Sequence, residues 1–208
     1  MRQVLLSAAL VLVSVPAHAE VFARSETGFV IRRTADVTAN IPTTWAELLQ
    51  PAEWWNAKHS YSGDAQNLSI DPRVGGCFCE VLPADDGAGG HRPRGGVEHM
   101  RVIYIEQNRA LRMNGALGPL QAEAVQGTLS IVLKPNETGG TRILWEYVVG
   151  GYMRQKTEQM APLVDSVLGD QVTRLAARLN APRDAVPAEA PAESPAGQGK
   201  ARPMEEGR

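Results

Sequence analysis

The sequence predicts an α+β domain, a curved antiparallel sheet of about seven strands packed on one long C-terminal helix. Three observations carry that reading. Gln155 to Leu179 is one amphipathic stretch: at 100° per residue Met160, Leu163, Val164, Val167, Leu168, Val172, Leu175 and Leu179 share a broad arc. Asp165, Ser166, Gly169, Asp170, Thr173 and Ala177 take the opposite side, and at 1.5 Å per residue the helix is roughly 35 Å long. Residues 22 to 150 read as short alternating runs broken by glycine and proline, able to supply the apolar surface such a helix must cover. Strands that follow one another directly pair antiparallel, and helices kept apart from them make α+β rather than α/β.

Both ends read differently from the middle. Arg2 is followed by a nearly continuous apolar run from Val4 to Val15 and by Ala17-His18-Ala19, the pattern of a secretory signal over residues 1–19 with a mature chain starting at Glu20. That run is too short for an ordinary membrane-spanning helix, so a secreted, periplasmic chain with no stable membrane anchor is expected. From Ala181 to Arg208 the chain is rich in Ala, Pro, Glu and Gly and almost free of large apolar side chains. Such a tail buries too little to offset the entropy of ordering, and a disordered tail is expected there. Residues 20–180 remain, one domain by length. With 21 Lys and Arg against 23 Asp and Glu, and no long basic cluster, nucleic acid is not an expected partner.

Taken in order, Phe22 to Ala39 is a long first strand that bends near Gly28. Pro42 suits a first helical turn, Thr44 with Glu47 makes a capping box, and Trp45, Leu48 and Leu49 form the buried stripe of a first short helix. Pro51 stops it and starts a second, through Trp54 and Trp55. Strands follow at Asn67 to Ile70, Cys77 to Leu82, Val97 to Ile105, Leu111 to Asn114, Glu123 to Leu133 and Thr141 to Val149. Asp71-Pro-Arg-Val-Gly-Gly and Pro135-Asn-Glu-Thr-Gly-Gly are turns, and Pro83 to Gly96 is a long solvated hairpin connection. Cys77 and Cys79 lie two apart on one strand, where extended geometry sets their Cα atoms near the limit for bridging. They read as two buried thiols, ahead of a disulfide or half a metal site.

Trp45-Ala-Glu-Leu-Leu, Pro51-Ala-Glu-Trp-Trp, Asp71-Pro-Arg-Val-Gly-Gly-Cys-Phe-Cys-Glu, Leu111-Arg-Met-Asn-Gly and Val164-Asp…Gln171-Val-Thr-Arg-Leu together resemble the START/Bet v 1-like helix-grip superfamily, also called SRPBCC. The nearest branch is the polyketide-cyclase and heat-shock-ATPase-activator-like proteins, and the resemblance covers residues 22 to 179. It implies a cavity between sheet and helix that holds a hydrophobic small molecule or lipid, without a cofactor. In some members that cavity also carries cyclisation or dehydration. Fold alone does not assign an activity.

The candidate ligand-binding residues are Trp54 and Trp55, Met100 and Tyr104, Met113, Trp145 and Tyr147, Val164 and Gln171. Gln171 falls near the centre of the helix's apolar arc, where its amide either bonds a loop backbone or points into the cavity. Parity leaves the inward faces of the Val97–Ile105 and Thr141–Val149 strands open: Glu146 is either a solvated strand residue or a buried acid/base group. An enzyme would draw proton transfer from His99 or Glu98 and polarise a carbonyl with Arg112. Nucleotide-loop, nucleophile-elbow and zinc-protease motifs are missing from the sequence. The expected function is thus an exported carrier of a hydrophobic ligand. The alternatives are a cofactor-independent cyclase, dehydratase or hydrolase in the same cavity, and a protein-interaction module without ligand.

Overall fold

The computed structural model describes residues 20–85 and 93–181. The expected signal segment, the middle of the 83–96 connection and the tail beyond Ala181 lie outside the described residues. The strands are β1 (Glu20–Arg24), β2 (Gly28–Val37), β3 (Leu68–Ile70), β4 (Cys77–Leu82), β5 (Gly95–Glu106), β6 (Ala110–Asn114), β7 (Ala124–Pro135) and β8 (Thr141–Tyr152). The helices are α1 (Ile41–Leu48), α2 (Pro51–Trp54) and α3 (Thr157–Asn180). The expected α+β class is what forms. There are eight strands rather than seven because the bend near Gly28 is a full turn, closed by Ser25 N–H donating to the Gly28 carbonyl.

The strands make one open antiparallel sheet in the order β1-β2-β8-β7-β6-β5-β4-β3. The run from β3 to β8 is a meander of neighbours, while β2 reaches β8 only because α1 and α2 carry the chain across to the far edge. The helix α3 packs on β1 and β2 and on the two short helices, and the core lies between it and one sheet face. Leu129, Ile131 and Leu133 of β7 and Ile143, Trp145, Tyr147 and Val149 of β8 point into that core. Glu146 accordingly points out and pairs with Arg32 on the neighbouring strand, which settles it as a solvated strand residue.

Two local readings are corrected. Asn40, not Thr44, caps α1: its Oδ1 accepts from the Thr43 N–H at 3.0 Å, one turn earlier than the Thr44/Glu47 pattern placed it. Cys77 and Cys79 are disulfide-bonded, not free thiols. Two extended residues span about 6.6–6.8 Å, but here the Cα atoms are 5.4 Å apart, and the β4–β5 ladder shifts register between Phe78 and Cys79. The strand is puckered where the bridge forms.

The buried face of α3 is rotated from the apolar arc. Asp165 and Gly169, on its polar side by sequence, are buried, whereas Leu163 of the arc is more than half exposed. The cause is Arg33 of β2, whose guanidinium lies across the helix. Its Nε donates to Asp165 Oδ1 at 2.9 Å and its terminal nitrogen to the Asp165 carbonyl at 2.8 Å. A Cβ on Gly169 would sit 2.6 Å from the Arg33 guanidinium carbon, so only glycine leaves room for this clamp.

Candidate functional site

Away from the Arg33 clamp, α3 and the sheet part to leave a cavity of about 80 Å³. Trp55, Leu117, Pro119, Val164 and Leu168 make most of its wall, Leu163 and Val167 reach it from α3, and the polar side chains are His59 and His99. Two loops frame it. The chain after α2 is held to α3 by Gln171, and the 115–119 segment between β6 and β7 is held from behind by Tyr147, whose hydroxyl donates to the Gly115 carbonyl and accepts from Leu117 N–H. Burial pushes the Tyr147 hydroxyl far up, so it stays a neutral clasp. Gly127 lies under that ring: a Cβ there would meet the Tyr147 hydroxyl at 2.3 Å. Tyr61 straps the two loops together through its hydroxyl, which donates to the Gly118 carbonyl at 2.9 Å.

His99 reaches the cavity through a bulge. On β5, Met100 opposes Phe78 and Glu98 opposes Cys79, so His99 is the extra residue between them. A bulge breaks the alternation of faces, and His99 and Met100 are therefore both buried although adjacent. A second shift between Val102 and Tyr104 turns Ile103 and Tyr104 outward together.

Behind His99 stands Glu80 of β4, on the same face as Phe78 and fully buried. Its Oε2 lies 3.0 Å from His99 Nε2 and accepts the Tyr61 N–H at 3.0 Å, while Oε1 accepts the Ser62 N–H. Burial alone pushes the carboxyl up, but the bonds from Ser62, Tyr61 and His99 outweigh it and hold Glu80 below the ordinary range. Burial holds His99 below its usual value despite that carboxylate. At neutral pH the pair is an ionised Glu80 and a neutral His99 whose proton sits on Nε2, the nitrogen facing the carboxylate.

His59 is fixed as firmly from the other side. Gln171 Oε1 accepts the Asn56 N–H at 2.8 Å, which orients the amide, so its Nε2 donates to His59 Nδ1 at 2.9 Å and to the Val167 carbonyl at 3.2 Å. Asp170 Oδ2 stands 3.5 Å from the same His59 nitrogen.

Of the residues singled out from sequence, Trp55 and Val164 line the cavity. Gln171 is buried but spent on the 56–59 loop, the first of its two readings. Trp54, Met100, Met113, Trp145 and Tyr147 are core residues behind the wall; Trp54 stacks edge-on against Trp145 with ring centroids 6.1 Å apart. Tyr104 is corrected outright: the second bulge turns it to the outer face, where its hydroxyl donates to Glu106. Among the enzyme candidates only His99 is inward. Glu98 pairs with Arg101, and Arg112 donates to Ser130 Oγ on the outer face. Glu80 was missed, although a signal existed. In Cys77-Phe-Cys-Glu, alternation places Glu80 on the face of Phe78, so a buried Phe78 implies a buried carboxylate in need of a partner.

No protein-family model and no curated protein matches the sequence. Solved structures do. A protein from Mycobacterium smegmatis is 14% identical, with 81% of this chain covering 98% of that one at a TM-score of 0.50. An uncharacterized protein from Rhizobium leguminosarum is 19% identical over 72% of this chain and 93% of its own, TM-score 0.46. A protein in the dynemicin biosynthetic locus is 16% identical over 72% and 46%, TM-score 0.46. At these identities the likeness is one of fold, and an open antiparallel sheet with a C-terminal helix across it is compatible with the helix-grip arrangement.

Proposed function

We propose that this protein is an exported small-molecule-binding protein that holds a mainly apolar ligand between the sheet and α3. The observation that carries the reading is the cavity itself, walled by Trp55, Leu117, Val164 and Leu168 with two histidines as its polar side chains. Its volume of about 80 Å³ lies below the roughly 300–1,000 Å³ of pockets for drug-sized ligands, which favours a compact molecule over a whole lipid. Export is supported by the Arg2, Val4–Val15 and Ala17-His18-Ala19 pattern and by the Cys77–Cys79 disulfide, a bond that persists in oxidising compartments.

The test is native mass spectrometry of gently purified protein beside ligand-observed NMR with toluene, a compact aromatic. The reading expects binding that Val164→Phe abolishes in a folded protein, because the added ring takes the space. Toluene that fails to bind the wild type, or binds Val164→Phe equally, overturns it. Mass mapping of the exported chain should find Glu20 first; a retained Met1 would remove the export half of the proposal.

The buried His99–Glu80 pair favours a second reading, an enzyme. A neutral imidazole backed by a carboxylate is a general base, able to take a proton from a bound neutral molecule and return it elsewhere. Exchange of carbon-bound hydrogen into heavy water on a small ketone, lost in His99→Phe, would distinguish enzyme from carrier.

A further inference from the structure

We infer that the cavity selects neutral ligands carrying a hydroxyl or N–H donor, and that His99 Nδ1 is the atom that reads it. The inference rests on the binding reading above and names the ligand chemistry. Among the described residues Glu80 is the only hydrogen-bonding partner of the His99 ring, through Nε2. Nδ1 has none, yet it is not among the sealed polar atoms that lack a partner, which are Asn114 Oδ1 and Trp145 Nε1. A ring that is 4% exposed and lines the cavity therefore opens its second nitrogen to that space.

Glu80 decides what that nitrogen can do. An ionised carboxylate accepts hydrogen bonds and donates none, so Nε2 carries the proton and Nδ1 presents a lone pair. The rest of the wall near it is apolar: Phe78 packs on the His99 ring with centroids 5.0 Å apart, and Trp55 packs on Phe78 at 5.2 Å. A donor on the ligand meets an acceptor there. An ether or carbonyl oxygen placed against Nδ1 meets a second lone pair and loses its water for nothing. The Glu80 charge behind the ring sets a further filter, since an anion entering the cavity faces a buried carboxylate one imidazole away. The class that fits is an uncharged compact molecule with an apolar body and one hydroxyl or N–H.

Toluene, anisole and p-cresol test this because they share a body and differ in the polar group. By ligand-observed NMR titration at neutral pH, p-cresol should bind about fivefold or more tighter than toluene, with anisole no better than toluene. In His99→Phe the p-cresol advantage, read as the ratio of the two affinities, should vanish. Glu80→Gln should erode the same advantage, because an amide no longer dictates which ring nitrogen keeps the proton; circular dichroism checks that each variant folds. The wild-type ranking stands without the variants. Equal binding of toluene and p-cresol, or anisole ahead of p-cresol, overturns the inference and leaves the cavity standing. Failure of all three to bind removes the binding reading itself.

Discussion

Two buried pairs tie this fold together, and they differ in one respect. Arg33 and Asp165 join β2 to α3, and the guanidinium spends itself on the Asp165 carboxylate and carbonyl with Gly169 beneath it. Glu80 and His99 join β4 to β5, and there the carboxylate is saturated by Tyr61, Ser62 and His99 while one imidazole nitrogen is left over. The first pair closes helix on sheet and leaves no space. The second sits where the helix has lifted away. A buried polar group fully partnered inside the protein fixes structure; one with a spare atom facing a cavity is available for a ligand.

The sharpest way to break this contrast is to strip the clamp. Arg33→Met leaves Asp165 buried without its cation, a loss of about 3–5 kcal/mol, read by urea unfolding. Adding Asp165→Leu should recover most of it, since an apolar pair can replace a buried ion pair. If Arg33→Met costs less than about 1 kcal/mol, the pair behaves as a surface one and the contrast fails.

Next in size is Gln171→Leu. It leaves the half-buried Asn56 N–H without its partner and His59 Nδ1 with only Asp170 Oδ2, 3.5 Å away, and an unsatisfied group of the first kind costs about 1–3 kcal/mol. The midpoint of thermal unfolding should fall while toluene binding per folded molecule changes little. A variant of unchanged stability that no longer binds would move Gln171 from the loop's clasp to the ligand site.

How much of this was legible in sequence follows the same division. Periodicity alone located α3 and the strands of the meander, because those depend on a side chain's own position in its element. The glutamine at position 171 could be narrowed to two readings, and a backbone contact is the one that formed. What stayed hidden depends on a second element. Asp165 and Gly169 look solvent-facing until Arg33 arrives from a strand 132 residues away from Asp165. His99 and Tyr104 shared no readable parity because β5 carries two register shifts, and one extra residue flips every side chain beyond it. Of the site, then, the walls at Trp55 and Val164 were visible and the dyad was half visible: His99 was named, Glu80 was not.

Acid pH separates the two pairs more gently. The folded-state value of His99 is lowered from 6.5, so below about pH 6.5 the unfolded chain binds a proton that the folded one refuses, and stability falls as pH falls. Glu80 is lowered from 4.5, so its contribution is intact above that pH and is lost further down as the folded carboxyl takes up a proton. His99→Phe should therefore flatten the stability profile just below about pH 6.5, relative to wild type, and leave the loss that comes from Glu80 further down. A profile in that window unchanged by the substitution would mean that His99 is not held neutral by the fold.

The smallest effect is expected at the disulfide, although it lies beside the bulge that aims His99. Only Phe78 separates the two cysteines, and cross-linking so short a loop removes little freedom from the unfolded chain, about 1–2 kcal/mol in the chain-entropy model. What places His99 inward is the pairing of β4 with β5, in which Phe78 keeps Met100 and Cys79 keeps Glu98 as partners. Those contacts, with Glu80 held by Tyr61 and Ser62, do not need the sulfur bridge. The double variant Cys77→Ser with Cys79→Ser should therefore unfold slightly earlier in urea and still favour p-cresol over toluene. Peptide mapping of the wild type should first recover Cys77 and Cys79 as one oxidised fragment. If the serine variant is nearly as stable as wild type but no longer distinguishes the two ligands, the disulfide and not the strand pairing holds the histidine in place, and the line drawn between structural and ligand-facing groups shifts by one residue pair.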